Sequence, residues 1–289
     1  MMQSIDISDC SNAWEAVKAS NMDYKVTTEK LVTSSGIDSG LVATVSDNKF
    51  YGAVSPTYKV TQNKDVFTFA DDLIKQSTDL HFDSAGTLEN GKRAFMALQM
   101  PNKKILDDEY SSQLIILNSF DGKSGIKICY LPKRIICSNM INMAFKTAKE
   151  RWSIRHSVNA NTRLMEAVAS IENADFFWTS MKEEFEKMSV QKVNFNKFLS
   201  QLMEEPDKDA SETIKRHDFE TRGKILSIYN NKNDLQNYSG TAYKAFQTIA
   251  DYVSNGEPVR KTDTFEENRF ASFLDGNKLM LKAQELLAA

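Results

Sequence analysis

A chain of 289 residues, 41% of them apolar and 26% charged, has room for a large core and for one or two domains, and its formal charge of −3 is mildly acidic. Five prolines and eleven glycines argue against long disordered linkers, and three cysteines are too few for a disulfide framework. No apolar run nears the roughly 20 residues of a membrane span, and Met1 to Cys10 has neither a basic nor an apolar leader segment, so a reduced cytoplasm is the expected setting.

Residues 1–35 read as a polar arm with one amphipathic helix around Ser11–Ser20, its Ala13, Ala16 and Val17 facing inward. Strand signals follow. Leu41–Val45 and Phe50–Val54 are short β-rich runs joined by Ser46-Asp47-Asn48, a hairpin connection. Val66–Gln76 has helical spacing, Gly86 to Gly91 reads as a turn, and Lys92–Gln99 as a strand. Gln113–Asn118 and Ile126–Tyr130 are expected to form a hairpin around Asp121-Gly122. A further run, Arg134–Cys137, leads into a helix over Ile141–Lys149 that Ser138 or Asn139 would cap.

Beyond that point apolar residues recur every three or four positions, which predicts helices over Asn161–Met188, Asn194–Met203, Ser211–Asn230, Thr241–Val253 and Lys278–Leu287. The expected class is α+β: an early antiparallel sheet, a helix, then a mostly helical C-terminal half. The expected divisions are an arm (1–35), an α+β core (36–165) and a helical region (166–289), with a hinge at 204–212 around Pro206.

Charge is distributed unevenly. Between Asp121 and Arg163 stand Lys123, Lys127, Lys133, Arg134, Lys146, Lys149, Arg151, Arg155 and Arg163 against Asp121 and Glu150, a net of +7 that leaves −10 for the other residues. A basic block in an acidic protein suggests a surface for a polyanion. Tyr130, Phe145 and Trp152 lie within it, and bases stack on exposed rings. The opposing reading is a solvated face with cations at a helix C-terminus.

Other chemistry has weaker support. Cys129, Cys137 and His156 match no closed zinc spacing, and Cys137 with His156 is the one pair the block might assemble for nucleophilic catalysis. The Gly86–Gly91 segment lacks the Lys-Ser/Thr of a phosphate loop and no GxGxxG occurs, so no cofactor is expected. Phe176, Phe177, Trp178, Phe185, Phe195 and Phe198 form an aromatic stripe that belongs either to the core or to an oligomer interface.

Several blocks resemble a known family in order. They are Tyr51-Gly52-Ala53-Val54-Ser55 with Tyr58 and Gln62-Asn63; Ala85-Gly86-Thr87-Leu88 with Gly91-Lys92-Arg93; and Asn118-Ser119-Phe120-Asp121-Gly122. Arg134 to Asn139, Ile154-Arg155-His156, Ala242 to Tyr252 and Lys278 to Leu287 continue the series. The chain is similar to the phage and plasmid family catalogued as domain of unknown function 932. The resemblance implies a mobile-element protein in a bacterial cytoplasm and carries no catalytic residue with it. The family commonly has histidine where this chain has Phe120, which argues against essential histidine chemistry at that turn.

The order of strands, basic hairpin and helix also resembles the core of single-strand annealing proteins. The resulting expectation is a non-enzymatic, homo-oligomeric protein that binds nucleic acid, single-stranded DNA above all, for annealing or protection. Lys123, Lys127, Lys133, Arg134, Lys146, Lys149, Arg151, Arg155 and Arg163 would neutralise phosphates beside Tyr130 and Trp152. The alternative is an anti-defence protein that binds a host component.

Overall fold

The computed structural model of the chain describes residues 3–76, 79–135, 139–140, 151–171, 174–258 and 261–288. Strand β1 (Gln3–Asp6) and helix α1 (Ala13–Ala19) come first. They are followed by β2 (Thr27–Val32), β3 (Asp38–Ser46) and β4 (Lys49–Val54), which form a three-stranded antiparallel sheet. Asp47 and Asn48 both have positive φ, 47° and 62°, the conformation that Asn and Asp tolerate best in a two-residue hairpin loop.

The helix expected at Val66–Gln76 is two: α2 (Asn63–Phe67) and α3 (Phe69–Gln76). The Thr68 hydroxyl donates to the Lys64 carbonyl at 2.8 Å at their junction, a back-bond that bends helices.

The main sheet contains β5 (His81–Leu88), β6 (Arg93–Ile105), β7 (Asp108–Ser119), β8 (Ile126–Arg134), β9 (Asn139–Met140) and β10 (Arg151–Ile154). Its order is β1-β5-β6-β7-β8-β10, with β9 also on β8 and every pairing antiparallel. Gly86 lies within a strand, between Ser4 and Phe95, and the turn is confined to Glu89–Gly91. Strand β8 continues past Tyr130 through Pro132 to Arg134. Pro132 stands opposite Ser112, after the pairs with β10 and before those with β9, where β8 has no ladder partner on that side among the described residues and a residue without N–H fits. The helix expected at Ile141–Lys149 lies outside the described residues.

The later chain is helical. It comprises α4 (Ala160–Ile171), α5 (Ala174–Val190), α6 (Phe195–Leu202), α7 (Glu212–Asn231), α8 (Ala242–Asn255), α9 (Phe265–Asp275) and α10 (Lys278–Leu287). Asn194, Ser211, Thr241 and Asn277 cap their helices through side-chain oxygens that accept backbone N–H groups, as capping residues do.

Both faces of the main sheet are covered at its centre, which explains the near-continuous apolar runs of β6, β7 and β8. Met96, Leu98, Leu114, Ile116, Ile128 and Tyr130 belong to the larger cluster, which includes α5, α6, α8 and α10. Phe95, Ala97, Ile115, Leu117, Cys129 and Leu131 form the other face with Phe273 and Leu274 of α9. Helix α8 is buried at every residue from Ala242 to Ala250.

The larger cluster draws on residues from Ile7 to Leu287, so one core crosses the boundaries expected at 35/36 and 165/166. The arm is part of it: β1 pairs with β5, and Ala13, Ala16 and Val17 are fully buried. Phe177, Trp178, Phe185, Phe195 and Phe198 are buried as well, so these members of the aromatic stripe are core.

Candidate nucleic-acid interface

The basic block divides into inward and outward residues. Arg134 is fully buried, with its guanidinium donating to Asp108 at 2.5 Å and to Asp234 at 2.6 Å. Asp108 also accepts from the Tyr243 hydroxyl at 2.6 Å, and Tyr243 meets Tyr110 at 2.7 Å. This is a closed ionic and hydrogen-bonded network between the sheet and α8. Arg134 is therefore a structural cation, and the expected phosphate contact at this position is withdrawn.

Tyr130 is likewise buried, stacked on Phe177 with ring centroids 4.7 Å apart, and offers no open face to a base. Lys127 extends to Asp275 at the end of α9, 2.6 Å away, where Asp275 also holds Arg93 through two 3.0 Å bonds. Burial raises the Asp275 carboxyl, but the Lys127 and Arg93 bonds outweigh it and hold the group below the usual carboxylate range.

Lys123, Lys133, Arg155 and Arg163 are exposed. They do not share one groove. Lys133 lies near one end of β8 and Lys123 precedes the other, so the length of the strand, roughly 25 Å, separates them. Arg163 lies on α4. Strand β10 places Arg151 opposite Cys129 and Trp152 opposite Ile128 in register. Lys146 and Lys149 lie outside the described residues, as does Cys137. Among the described residues no group of three His, Cys, Asp or Glu side chains is placed to hold a metal ion.

The end of the main sheet beside Lys123 is where the small sheet docks, and the docking is backbone against backbone. A Cβ on Gly52 would stand 2.3 Å from the Asp121 carbonyl oxygen, and Gly122 packs against Ala53 and Val54. The Thr44 hydroxyl donates to the Phe120 carbonyl at 2.6 Å, and the Phe120 N–H donates to the Lys92 carbonyl at 2.8 Å. Tyr24, Tyr51 and Phe120 fill the space between as three rings with centroids 6.2–6.3 Å apart.

His156 closes this end from the other side. Its Nδ1 accepts the Thr61 N–H at 3.1 Å, and its ring stacks on Tyr58 at 4.9 Å. Asn118 donates to the Thr61 carbonyl and to Asn63 Oδ1. Burial lowers the His156 pKa to about 4, while the Ser119 carbonyl and Asp121 pull it the other way. The ring is therefore neutral at pH 7, with its proton on Nε2. Burial raises the Tyr58 hydroxyl, and Asp121 adds to the shift.

Around this junction lies a different cationic set. Lys49 and Lys92 line an open pocket of about 430 Å³ with Phe50, Tyr51, Glu89 and Asn90. Lys123 follows the Asp121-Gly122 turn, Arg155 adjoins Gly125, and Lys59 follows Tyr58. None of these five cations is in an ion pair among the described residues. The nearby acids are partly committed: Glu89 meets Arg93 at 3.6 Å, and Asp121 accepts the N–H groups of Lys123 and Ser124. Phe50, at the rim, is 54% exposed.

The sequence reading missed Lys49, Phe50, Lys59 and Lys92 because they lie outside the 121–163 block. Docking of the small sheet brings Lys49 and Phe50 to this end, pairing of β6 with β7 brings Lys92, and the loop after β4 carries Lys59.

No helix among the described residues is long and apolar enough to cross a membrane. Comparison with curated proteins gave no match, and neither did comparison with solved structures. The sequence model of one family, described as Domain of unknown function (DUF932), matches residues 50–274. That span covers well over half of the chain and takes in the main-sheet side of the junction with β4 from Phe50 on, the buried Arg134 network and α9, and the chain belongs to the DUF932 family.

Proposed function

We propose that this protein binds single-stranded nucleic acid without catalysing a reaction on it, at the end of the main sheet where the small sheet docks. The observation that carries the reading is Phe50, an exposed ring in a pocket flanked by Lys49 and Lys92. Phosphates would lie along Lys49, Lys92, Lys123 and Arg155, with a base against Phe50. A stacked base contributes about 1–3 kcal/mol without demanding a particular sequence. The acidic charge of the rest of the chain would confine the strand to this end. In a protein resembling those of phages and plasmids, such binding would serve annealing or protection of DNA.

The test is fluorescence anisotropy of a labelled single-stranded oligonucleotide, titrated at several salt concentrations. The wild type should bind with an affinity that falls steeply as salt rises. Lys92→Glu/Lys123→Glu should abolish that binding and Phe50→Ala should weaken it, while Lys133→Glu, at the far end of β8, should leave it nearly unchanged. Absence of binding at low salt, or binding indifferent to the Lys92 and Lys123 changes, defeats the reading. Capture of a host protein would then be the experiment to run.

A further inference from the structure

Helix α8 ends between α7 and α9, and its last carbonyls are held by cations from both neighbours. Arg269 of α9 donates from Nη1 to the Ser254 carbonyl at 2.6 Å and from Nη2 to the Gly256 carbonyl at 2.7 Å. Lys224 of α7 donates to the following carbonyl, that of Glu257, at 2.9 Å. The guanidinium of Arg269 also lies over the Phe265 ring, one turn earlier on α9, at 4.3 Å. Beside these groups is a cavity of about 270 Å³. Its walls are Thr221 and Lys224 of α7, Tyr252 and Val253 of α8, and Phe265 and Ser272 of α9. That is just below the range of drug-sized ligand sites, so its occupant is a small molecule.

Capping of α8 does not account for both charges. The end of a helix carries about half a negative unit charge, and a carbonyl satisfies a donor without neutralising the cation. The Arg269 side chain is 16% exposed, while Glu266, the acid it meets at 3.6 Å, is 60% exposed. Lys224 is half-buried and in no ion pair among the described residues. Cations so far removed from water are ordinarily matched by an acid. The carboxylate on the cavity wall is that of Glu257, whose exposure lets it turn to solvent.

Donors also remain. Each terminal nitrogen of Arg269 has two hydrogens and gives one to a carbonyl, and the Lys224 ammonium gives one of its three. The Ser272 oxygen accepts from Asn277 Nδ2 at 2.9 Å, which leaves its own hydrogen to donate. Donors converging from two helices suit a tetrahedral oxyanion, which an arginine meets as a fork and a lysine as a point charge. The rest of the wall is two rings and a valine, a surface for an organic group.

We propose that this cavity binds a small phosphate monoester, with the phosphate at Lys224, Arg269 and Ser272 and the organic group against Tyr252, Val253 and Phe265. The site is built from α7, α8 and α9 and does not depend on the nucleic-acid reading.

The test is a nuclear magnetic resonance titration of the isotope-labelled full chain with phenyl phosphate, compared with inorganic phosphate and with sodium chloride at matched ionic strength. Phenyl phosphate should move the amide signals of Lys224, Gly256, Glu257 and Ser272 saturably, with a Kd of about 0.1–1 mM. Inorganic phosphate should bind about fivefold more weakly or worse, because it leaves the ring wall uncovered. Lys224→Gln should raise the Kd for phenyl phosphate roughly tenfold, and Ser272→Ala about threefold. Lys282→Gln, at an exposed lysine beside Glu204, should leave it unchanged. Ser272→Ala keeps the test decisive if loss of the Lys224 bond disturbs the end of α8. The assignment is overturned if nothing saturates by about 10 mM, if the two phosphates bind equally well, or if neither variant weakens binding. Signals that move around other lysines instead would show a general affinity of cations for phosphate and overturn it too.

Discussion

Asp275 and Lys127 stand 148 residues apart in the chain and meet at 2.6 Å, tying the C-terminal end of α9 to the start of β8. The same carboxylate takes both terminal nitrogens of Arg93, whose side chain is only 4% exposed. Phe270 and Phe273 bring α9 onto Phe95 and its neighbours, and Asp275 fixes its rotation there. Asp275→Asn keeps the shape but takes from Arg93 the nearer of its two anions and leaves it Glu89 at 3.6 Å. It should cost about 1–2 kcal/mol in urea unfolding at pH 7, a figure held down by the partial exposure of the carboxylate. Because the folded-state pKa is depressed, this stabilisation is present above the ordinary carboxylate range and is lost as pH falls through the lower folded value. The difference between wild type and Asp275→Asn should therefore shrink on acidification. A difference that persists undiminished at pH 2 would show that packing, not the ion pair, holds α9.

Arg134 gives the sharpest contrast with its neighbour. Lys133 is exposed and Arg134 is sealed between Asp108 and Asp234, although a reading of sequence treats them as one basic dipeptide. Removing one partner of a buried pair leaves an uncompensated charge, so Arg134→Ala should lose about 3–5 kcal/mol. Lys133→Ala should stay within about 0.5 kcal/mol of wild type. Denaturant midpoints for the two variants decide the matter. Equal midpoints would return Arg134 to the list of candidate surface cations. Loss of DNA binding in a variant altered at Arg134 would report on folding, which is why Lys92 and Lys123 are the better probes.

The class and most helices were legible because their signals are local. Helical spacing and the capping residues Asn194, Ser211, Thr241 and Asn277 mark the later elements within a residue or two. Helix α9 was missed because Glu266 to Arg269 interrupt its apolar face, which Phe265, Phe270, Ala271, Phe273 and Leu274 sustain. Strand β5 was missed because Gly86 reads as a turn residue, and its place between β1 and β6 is a matter of long-range pairing. The site failed for a related reason. Lys133 and Arg134, side by side in β8 after Pro132, look alike in one dimension, and an acid a hundred residues away, Asp234, helps decide which of them remains available to a ligand.

The close approach of the two sheets makes Gly52 a sensitive position. A methyl group there would sit 2.3 Å from the Asp121 oxygen, with backbone rather than a movable side chain in the way. Gly52→Ala should cost about 1–3 kcal/mol, the range for an overpacked contact. The loss should localise: amides of β3 and β4 should exchange faster, while those of β6 and β7 keep their protection. If the proposed interface is correct, oligonucleotide affinity should fall in the same variant, since Lys49 and Phe50 ride on β4. Unchanged exchange in β3 and β4 would mean that the sheets part without consequence.

Acid should act on the same junction from the other side. His156 is neutral in the fold, with Nδ1 accepting from Thr61 and its ring against Tyr58, and burial lowers its pKa to about 4. An unfolded histidine titrates near 6.5. Between those values the unfolded chain binds a proton that the folded chain does not, so stability rises with pH. The contribution is complete above about pH 6.5, declines as pH falls, and by pH 4 has cost about 3 kcal/mol. Urea midpoints measured across this window should fall for wild type. His156→Gln keeps an acceptor within reach of the Thr61 N–H but cannot take up a proton, so its profile should be flatter from pH 6.5 to 4 even if its stability at pH 7 is lower. Parallel profiles for the two proteins would remove His156 as the source. A flat variant profile would identify the imidazole as the group through which acid loosens the loop carrying Tyr58 and Lys59, and with it one side of the proposed nucleic-acid surface.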